Sequence, residues 1–379
     1  MNFDWTPSQN SFRQRIRDVL DRELQDDWPQ KSRLDPSSEY VSRFSREFCP
    51  TLAREGLLIP HWPQQDGGEG LDPFHHWILG EEMFAIGEPR SYQYMSVNWA
   101  GPAIRKYGTP RQKAELLPRI TGGTMIFCQG FSEPGAGSDL AAMKTKAERS
   151  ESGGFVINGS KIWTSGASLA DVCFLLARTG QGRKDISAFL VPMDTPGIDV
   201  RIVASFNGER SFHEVFFTDV QAPEDAVLGE VGRGWDIVMS VLADERVGAP
   251  RYALTMRGID IGVGILAGRG QFDEPAQIRA AQAMAACHAA QLLCLSVIDD
   301  RAKGRPPSGS TSVARYCLNA ADRLAADFFE EFLSDDLVLN ENPVLAAAYR
   351  RTASSGIASG TAEMQMNAIA RDVLRLPRE

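Results

Sequence analysis

Residues 129–139 read QGFSEPGAGSD, and residues 161–166 read KIWTSG. PGAGSD is a glycine-rich turn whose free N–H groups, with the Ser138 hydroxyl, can cradle a phosphate or pyrophosphate. It fits an ordinary turn between strands equally well. Trp163, Thr164 and Ser165, beside a second glycine turn, offer a flat apolar surface with hydrogen-bond donors next to it. A tryptophan buried in a strand core has the same local sequence.

The text on either side sets the frame. GGFVINGSKIWTSG, ADVCFLLART, DISAFLVPM, GIDVRIVAS and HEVFFTDV are short β-branched and aromatic runs separated by Gly, Asn, Asp and Pro. Repeated strands without intervening helices predict an antiparallel barrel or sandwich over about 121–235. Before it the period is helical. SFRQRIRDVLDREL places apolar residues at 12, 16, 19, 20 and 24 along one face, and TPRQKAELLPRI opens with Thr109 as N-cap and Pro110 at the first helical position. After it, DIVMSVLADERVGAPRYALTMRGIDIGVGIL, AQIRAAQAMAACHAAQLLCLSVIDDRA and TSVARYCLNAADRLAADFFEEFL read as long helices. The expected fold is α+β and multi-domain: a helical domain (1–120), a central β domain (121–235) and a C-terminal helical bundle (236–379).

Composition narrows the function. The formal charge of −9 argues against nucleic acid, although a few placed arginines could still bind an anionic ligand. The six cysteines show no CxxC spacing and no cluster with histidine, so they read as buried thiols, and no metal site is expected. The first residues lack the apolar core of a signal peptide, and no apolar run approaches the ~18 residues of a membrane span. The expected location is a reducing cytoplasm.

Together and in this order, FSEPGAGSD and KIWTSGA resemble the acyl-CoA dehydrogenase family. So do GLLIPHWPQQDGGEGLDPFHHWILGEEM, AIRKYGTPRQKAELLPRITGG, HEVFFTDVQAPEDAVLGEVGRGW and the closing IARDVLRLPRE, and the resemblance spans nearly the whole chain. It implies a helical N-terminal domain, a central β-barrel and a C-terminal four-helix bundle, with FAD bound between the β domain and the bundle. Gln129, Phe131 and Ser132 would lie along the flavin, with Trp163, Thr164 and Ser165 on its other side. Ser138 would fall near the flavin pyrophosphate or the substrate's CoA chain, and Thr361 near the cofactor in the final loop. The implied partners are an acyl-CoA or carrier-protein thioester, an electron-transfer flavoprotein as acceptor, and further subunits in a homo- or hetero-oligomeric dimer of dimers.

Dehydrogenation at Cα–Cβ of a thioester needs a base for the α-proton, donors for the enolate oxygen and an acceptor for the β-hydride. The best-known relatives carry the base as a Glu just before Gly-Thr in the final loop; here that position is Ser359, whose hydroxyl is too weak a base unaided. Other branches place the base on a bundle helix in an L-x-x-E-R motif. L242-A-D-E-R246 matches it, which makes Glu245 the expected base and Arg246 its neighbour at the substrate.

Three departures stand out. Arg269-Gly-Gln-Phe272 resembles the R-x-x-F element that reaches a neighbouring subunit's FAD, but DEP follows it. The Q-x-x-G-G-x-G element is replaced by FLSDDLVLNEN, and Met366 stands where an arginine is common. These point either to a divergent homomer or to one subunit of a heteromeric dehydrogenase, in which this chain could merely complete a flavin site. A flavin monooxygenase on the same fold is a further alternative, opposed by the retained SEPGAGSD and Glu245.

Overall fold

Thr6 and Thr109 start two helices in the same way. Each hydroxyl accepts from the backbone N–H three residues on (Gln9 and Gln112, both 3.2 Å), each Gln side chain returns to the Thr N–H, and Pro follows at the first helical position. These are α1 (Pro7–Glu23) and α7 (Pro110–Thr121); between them lie α2 (Trp28–Ser32), α3 (Glu39–Arg54), α4 (Pro73–Ala85), α5 (Gln93–Met95) and α6 (Gly101–Tyr107). The computed structural model describes residues 4–151, 153–182, 185–208, 211–245, 247, 249–358 and 360–377, without the side chains of 243–245. On α1, Phe12, Ile16, Val19 and Leu20 are buried, as the helical spacing requires.

A π turn at Ser96–Ala100 joins α5 to α6. It sets the Ser96 hydroxyl to accept from Phe127 N–H at 3.0 Å, and Gln93 donates to the Gly123 carbonyl, so the helical segment is bonded to the start of the sheet.

Eight strands form that sheet: β1 (Phe127–Gly130), β2 (Lys146–Arg149), β3 (Phe155–Lys161), β4 (Val172–Arg178), β5 (Ile186–Pro192), β6 (Ile198–Val203), β7 (Phe212–Ala222) and β8 (Val227–Leu228). Their order is β6-β7-β3-β2-β4-β5-β8, with β1 also on β4. Most pairings are antiparallel, as expected, but β1 and the first residue of β2, Lys146, pair parallel with β4. The unbroken apolar run of β4 follows from its place between two cores. Phe174 and Leu176 face the helical core with Phe12, Trp62 and Ile78, while Cys173, Leu175 and Ala177 face the strand core with Phe155, Ile157 and Phe189.

α8 (Gly234–Glu245) begins against β5. A Cβ on Gly234 would lie 2.6 Å from the Ser187 carbonyl carbon, so only glycine permits this approach. The sequence predicted one helix from here to about residue 266; the structure ends α8 at Glu245 and starts α9 (Tyr252–Gly268) afterwards. Pro250 is the reason, since proline lacks the N–H for a helix interior and restrains the residue before it. Its ring packs on Gly80 of α4.

The bundle continues with α10 (Glu274–Ala302), α11 (Ser310–Leu339), α12 (Pro343–Ala353) and α13 (Ala362–Asp372). On α10, Ala276, Ala280, Ala283, Cys287, Ala290, Cys294 and Val297 are buried at alternating spacings of four and three, a small-residue stripe packed with α9 and α11. By length and composition α10 could cross a bilayer, contrary to the expectation that no segment would; in this fold its stripe is part of the bundle core. The cysteines are free thiols, all buried except the partly exposed Cys317.

Gly234→Ala is expected to lower stability by about 1–3 kcal/mol, read as a lower urea midpoint.

Candidate active site

The two quoted motifs meet through a buried ion pair. Lys161, at the end of β3, is fully buried; its Nζ donates to Glu133 Oε1 at 2.8 Å and to the Phe131 carbonyl at 3.1 Å. Glu133 also accepts from the backbone N–H groups of Lys144 (2.6 Å) and Thr145 (2.9 Å). Ile162 N–H donates to the Ser132 carbonyl at 2.9 Å, completing the junction. Burial alone would push the Glu133 carboxyl up, but the Lys161 charge and the hydrogen bonds outweigh it and hold its pKa below the ordinary value of 4.5. Burial pulls the Lys161 ammonium down, opposed by Glu133. Sequence reasoning missed this pair; its signal was a carboxylate at the head of the glycine turn, ahead of Pro134, and a lysine closing an apolar strand.

The junction fixes Trp163 in an unusual pose. Its φ of 61° lies in the left-handed region, a conformation that a bulky residue keeps only when its neighbours are held. They are held: Ile162 by Ser132, and Thr164 by its N–H to the His213 carbonyl at 3.0 Å. Gly166, at φ 70°, comes so close to the Tyr92 ring that a Cβ would lie 2.6 Å from it. The Trp163 side chain remains 56% exposed, with its edge against Phe212 at 5.9 Å. Beside it, the Thr164 hydroxyl is buried with no hydrogen-bond partner among the described residues. On β1, Gln129 Nε2 is in the same condition.

The other expected site residues fall as follows. Phe131 turns inward and packs edge-on against Phe174 at 5.2 Å; only its carbonyl, which takes Lys161, faces the motif junction. Ser132 and Ser165 are partly exposed, and Ser138 is exposed on the glycine turn. Thr361 caps α13, its hydroxyl accepting from Met364 N–H at 3.3 Å. Position 245 is the last of α8; its side chain lies outside what is described, as do Arg246 and Ser359. One turn before 245, Val241 and Ser240 line a cleft of about 290 Å³ with Asn98, Trp99, Arg105 and Tyr107. Arg301 of α10 donates to the Val247 carbonyl at 2.9 Å, anchoring the segment that follows α8.

Arg269 is held within its own chain. Its guanidinium makes a two-pronged pair with Asp336 of α11 (2.7 and 2.6 Å), with Glu341 at 3.7 Å. Hydrogen bonding to Arg269 holds the Asp336 carboxyl below its ordinary value. Asp336 belongs to FLSDDLVLNEN, which continues α11 as helix to Leu339, past a kink at Leu333. Phe272 is partly buried against the bundle core.

Three family models match the chain in order: acyl-CoA dehydrogenase N-terminal domain over residues 6–124, middle domain over 128–220 and C-terminal domain over 232–374. The acyl-CoA dehydrogenase IpdE1 of Mycobacterium tuberculosis is 34% identical over 345 residues, covering 88% of each chain. Among solved structures, the Tcur3481-Tcur3483 steroid ACAD superposes with a TM-score of 0.89 at 26% identity, covering 100% of both chains. The ChsE4-ChsE5 complex from Mycobacterium tuberculosis gives 0.87 at 27% identity, also covering 100% of both.

Lys161→Met leaves Glu133 buried without its cation and is expected to cost about 3–5 kcal/mol, with part recovered in the Glu133→Gln/Lys161→Met double variant, both read by urea denaturation. Because the Glu133 pKa is depressed, its contribution is complete above about pH 4.5 and is lost as pH falls through the folded value. Thermal melts of the wild type should therefore fall more steeply below pH 4.5 than those of the double variant.

Proposed function

The chain belongs to the acyl-CoA dehydrogenase family, and from that premise we propose that Glu245 removes the α-proton of an acyl-CoA thioester beside a flavin face built on Trp163. The chain is an FAD-dependent enzyme of the acyl-CoA dehydrogenase type. When bound, FAD takes the β-hydride, a transfer that no side chain performs.

The observation that carries the residue assignment is the pair of unanswered polar atoms, Gln129 Nε2 and Thr164 Oγ1. They lie on the two segments that the Ser132–Ile162 hydrogen bond joins, next to a tryptophan held exposed against its backbone preference. Buried donors without partners are costly in a finished protein and fit a site whose ligand supplies the acceptors. Trp163 would cover the flavin ring, with Gln129 and Thr164 hydrogen-bonding its edge and Ser132 and Ser165 beside them. Ser138, exposed on the glycine turn, would meet a phosphate of the cofactor or of CoA.

Glu245 is assigned by its motif and its place at the end of α8, one turn past the cleft wall at Val241. Ser359 stands where other members carry a loop carboxylate and has no basicity to replace it. Electrons would leave to an electron-transfer flavoprotein.

The Arg269–Asp336 pair favours a second reading, concerning assembly. An arginine bound two-pronged by its own chain's carboxylate has its charge answered and two of its five N–H donors engaged before a neighbour's FAD phosphates could compete for it, and Glu341 adds like charge against them. We therefore propose that this chain works with a related but non-identical subunit, in which the flavin contacts missing here are present. The two solved structures each carry a paired name, Tcur3481-Tcur3483 and the ChsE4-ChsE5 complex.

With FAD bound, an acyl-CoA should bleach the flavin anaerobically. Glu245→Gln should keep the flavin spectrum while slowing bleaching by about 10²–10⁴-fold; unaltered bleaching would sink the assignment. Purified alone, the chain should carry well under one FAD, rising on co-expression with its sister subunit. Full occupancy in isolation would refute the heteromeric reading.

A further inference from the structure

We infer that Asn98 selects among acyl groups by receiving an uncharged oxygen, such as a ketone, so that the preferred thioesters carry oxygen along the acyl chain rather than plain methylenes. The inference rests on the dehydrogenase reading above, because it takes the cleft beside Val241 to hold the acyl chain.

The cleft, of about 290 Å³, lies between two elements already tied to the site. One wall is α8, where Val241 stands one helical turn, about 5.4 Å, before position 245. The other is the π turn at Ser96–Ala100 with α6, and α8 packs on both. The same turn reaches the sheet, since its Ser96 hydroxyl accepts from Phe127 at the head of β1, two residues before Gln129. A thioester whose Cα lies at position 245 therefore has this cleft one turn away for the carbons beyond Cβ. From Ser91 to Gly101 every residue is buried except Asn98 and Trp99, and both line the cleft. They stand in the π turn, a departure from the regular helix of the kind often found at functional sites.

Asn98 is held in one orientation. Its Nδ2 donates to the Tyr94 carbonyl at 2.9 Å, which makes Oδ1 the atom that accepts from His76 Nε2 at 2.7 Å. Behind His76 the His61 ring lies 3.9 Å away, centroid to centroid. Burial keeps both imidazoles uncharged, pushing His61 down to about 3 and His76 below its ordinary value. Each Nδ1 is buried without a partner among the described residues, so the wall behind Asn98 has polar capacity that the protein itself does not use. The amide is thus fixed by two bonds, and its second Nδ2 hydrogen has no acceptor among the described residues. In the α8 wall, Ser240 Oγ accepts from Lys106 Nζ at 3.2 Å and keeps its own hydrogen to donate. The charges of the cleft are already met: Arg105 is paired with Asp66 at 2.8 Å over the Trp62 ring, and Lys106 is exposed to solvent. What the cleft offers is uncharged donors set among Trp99, Ala103 and Val241, the apolar lining with few placed polar groups that marks a selective small-ligand site. Such a donor is answered by an acceptor oxygen and left unpaired by a methylene.

The test compares octanoyl-CoA with its 5-oxo, 6-oxo and 7-oxo derivatives, equal in chain length and differing by one ketone. Binding to the FAD-loaded protein, with its sister subunit present where loading requires it, is measured by titration calorimetry, and flavin bleaching is followed separately. The expected result is that at least one oxo thioester binds tighter than octanoyl-CoA by about fivefold or more. That gap closes in Asn98→Leu and narrows in Ser240→Ala. It also narrows in His76→Phe, which removes the bond that positions Asn98, and is partly restored in His76→Gln. A purely structural role for Asn98 would weaken all four thioesters alike and leave the gap in place. Where Asn98→Leu does not fold, Asn98→Ala and Ser240→Ala decide. Equal affinity across the panel, or a gap indifferent to the Asn98 and Ser240 variants, overturns the inference whatever the bleaching shows. A gap that follows Asn98 without bleaching by any thioester upholds the polar subsite and counts against dehydrogenation instead.

Discussion

The buried Glu133–Lys161 pair is the constraint from which the rest of the site follows. A glycine-rich turn has no side chains with which to hold its own shape, and a strand end has no means of fixing what comes after it. One carboxylate inside the turn, closed by one ammonium from the strand and two backbone N–H groups, solves both problems at once. Satisfying every bond is what makes the arrangement tolerable, since two desolvated charges of this kind are favourable only with near-complete hydrogen bonding. The pair also explains why Trp163 can be both strained and outward-facing: the chain on each side of it is already bonded in place.

Most of the architecture was legible because the periods differ so plainly along the chain. The Thr-Pro-x-Gln starts of α1 and α7 are local rules that local sequence satisfies. β4 was legible as a strand but not as the partition between two cores, since periodicity shows that a run is apolar without showing what lies on either side. The break between α8 and α9 was missed although Pro250 announces it, because apolar residues on both sides carry the helical pattern past the proline. α10 was underestimated for a related reason: alanine and cysteine count for little in a search for bulky apolar runs, yet they permit the close approach of helices.

The candidate site was legible as motifs and illegible as bonds. Phe131 belongs to a motif associated with the cofactor, yet its ring serves the core. Thr361 stands in the right loop, and its hydroxyl starts a helix. Arg269 and Asp336 are 67 residues apart, and nothing in either neighbourhood reveals that one neutralises the other. Each of these is a choice between partners that only three-dimensional proximity decides, and motif positions carry no information about it.

The contact of Gly234 with β5 bears on the mechanics of catalysis. Through it, α8 is seated on the sheet that also carries Gln129 and leads into Trp163, whereas the loop at 356–361 hangs from the bundle. On the assignment of Glu245 proposed above, the base would sit on an element packed directly against the sheet rather than on that loop. A base carried in this way would take its position from the packing of α8 on β5, and a change in the 356–361 loop would bear on access to it more than on its placement.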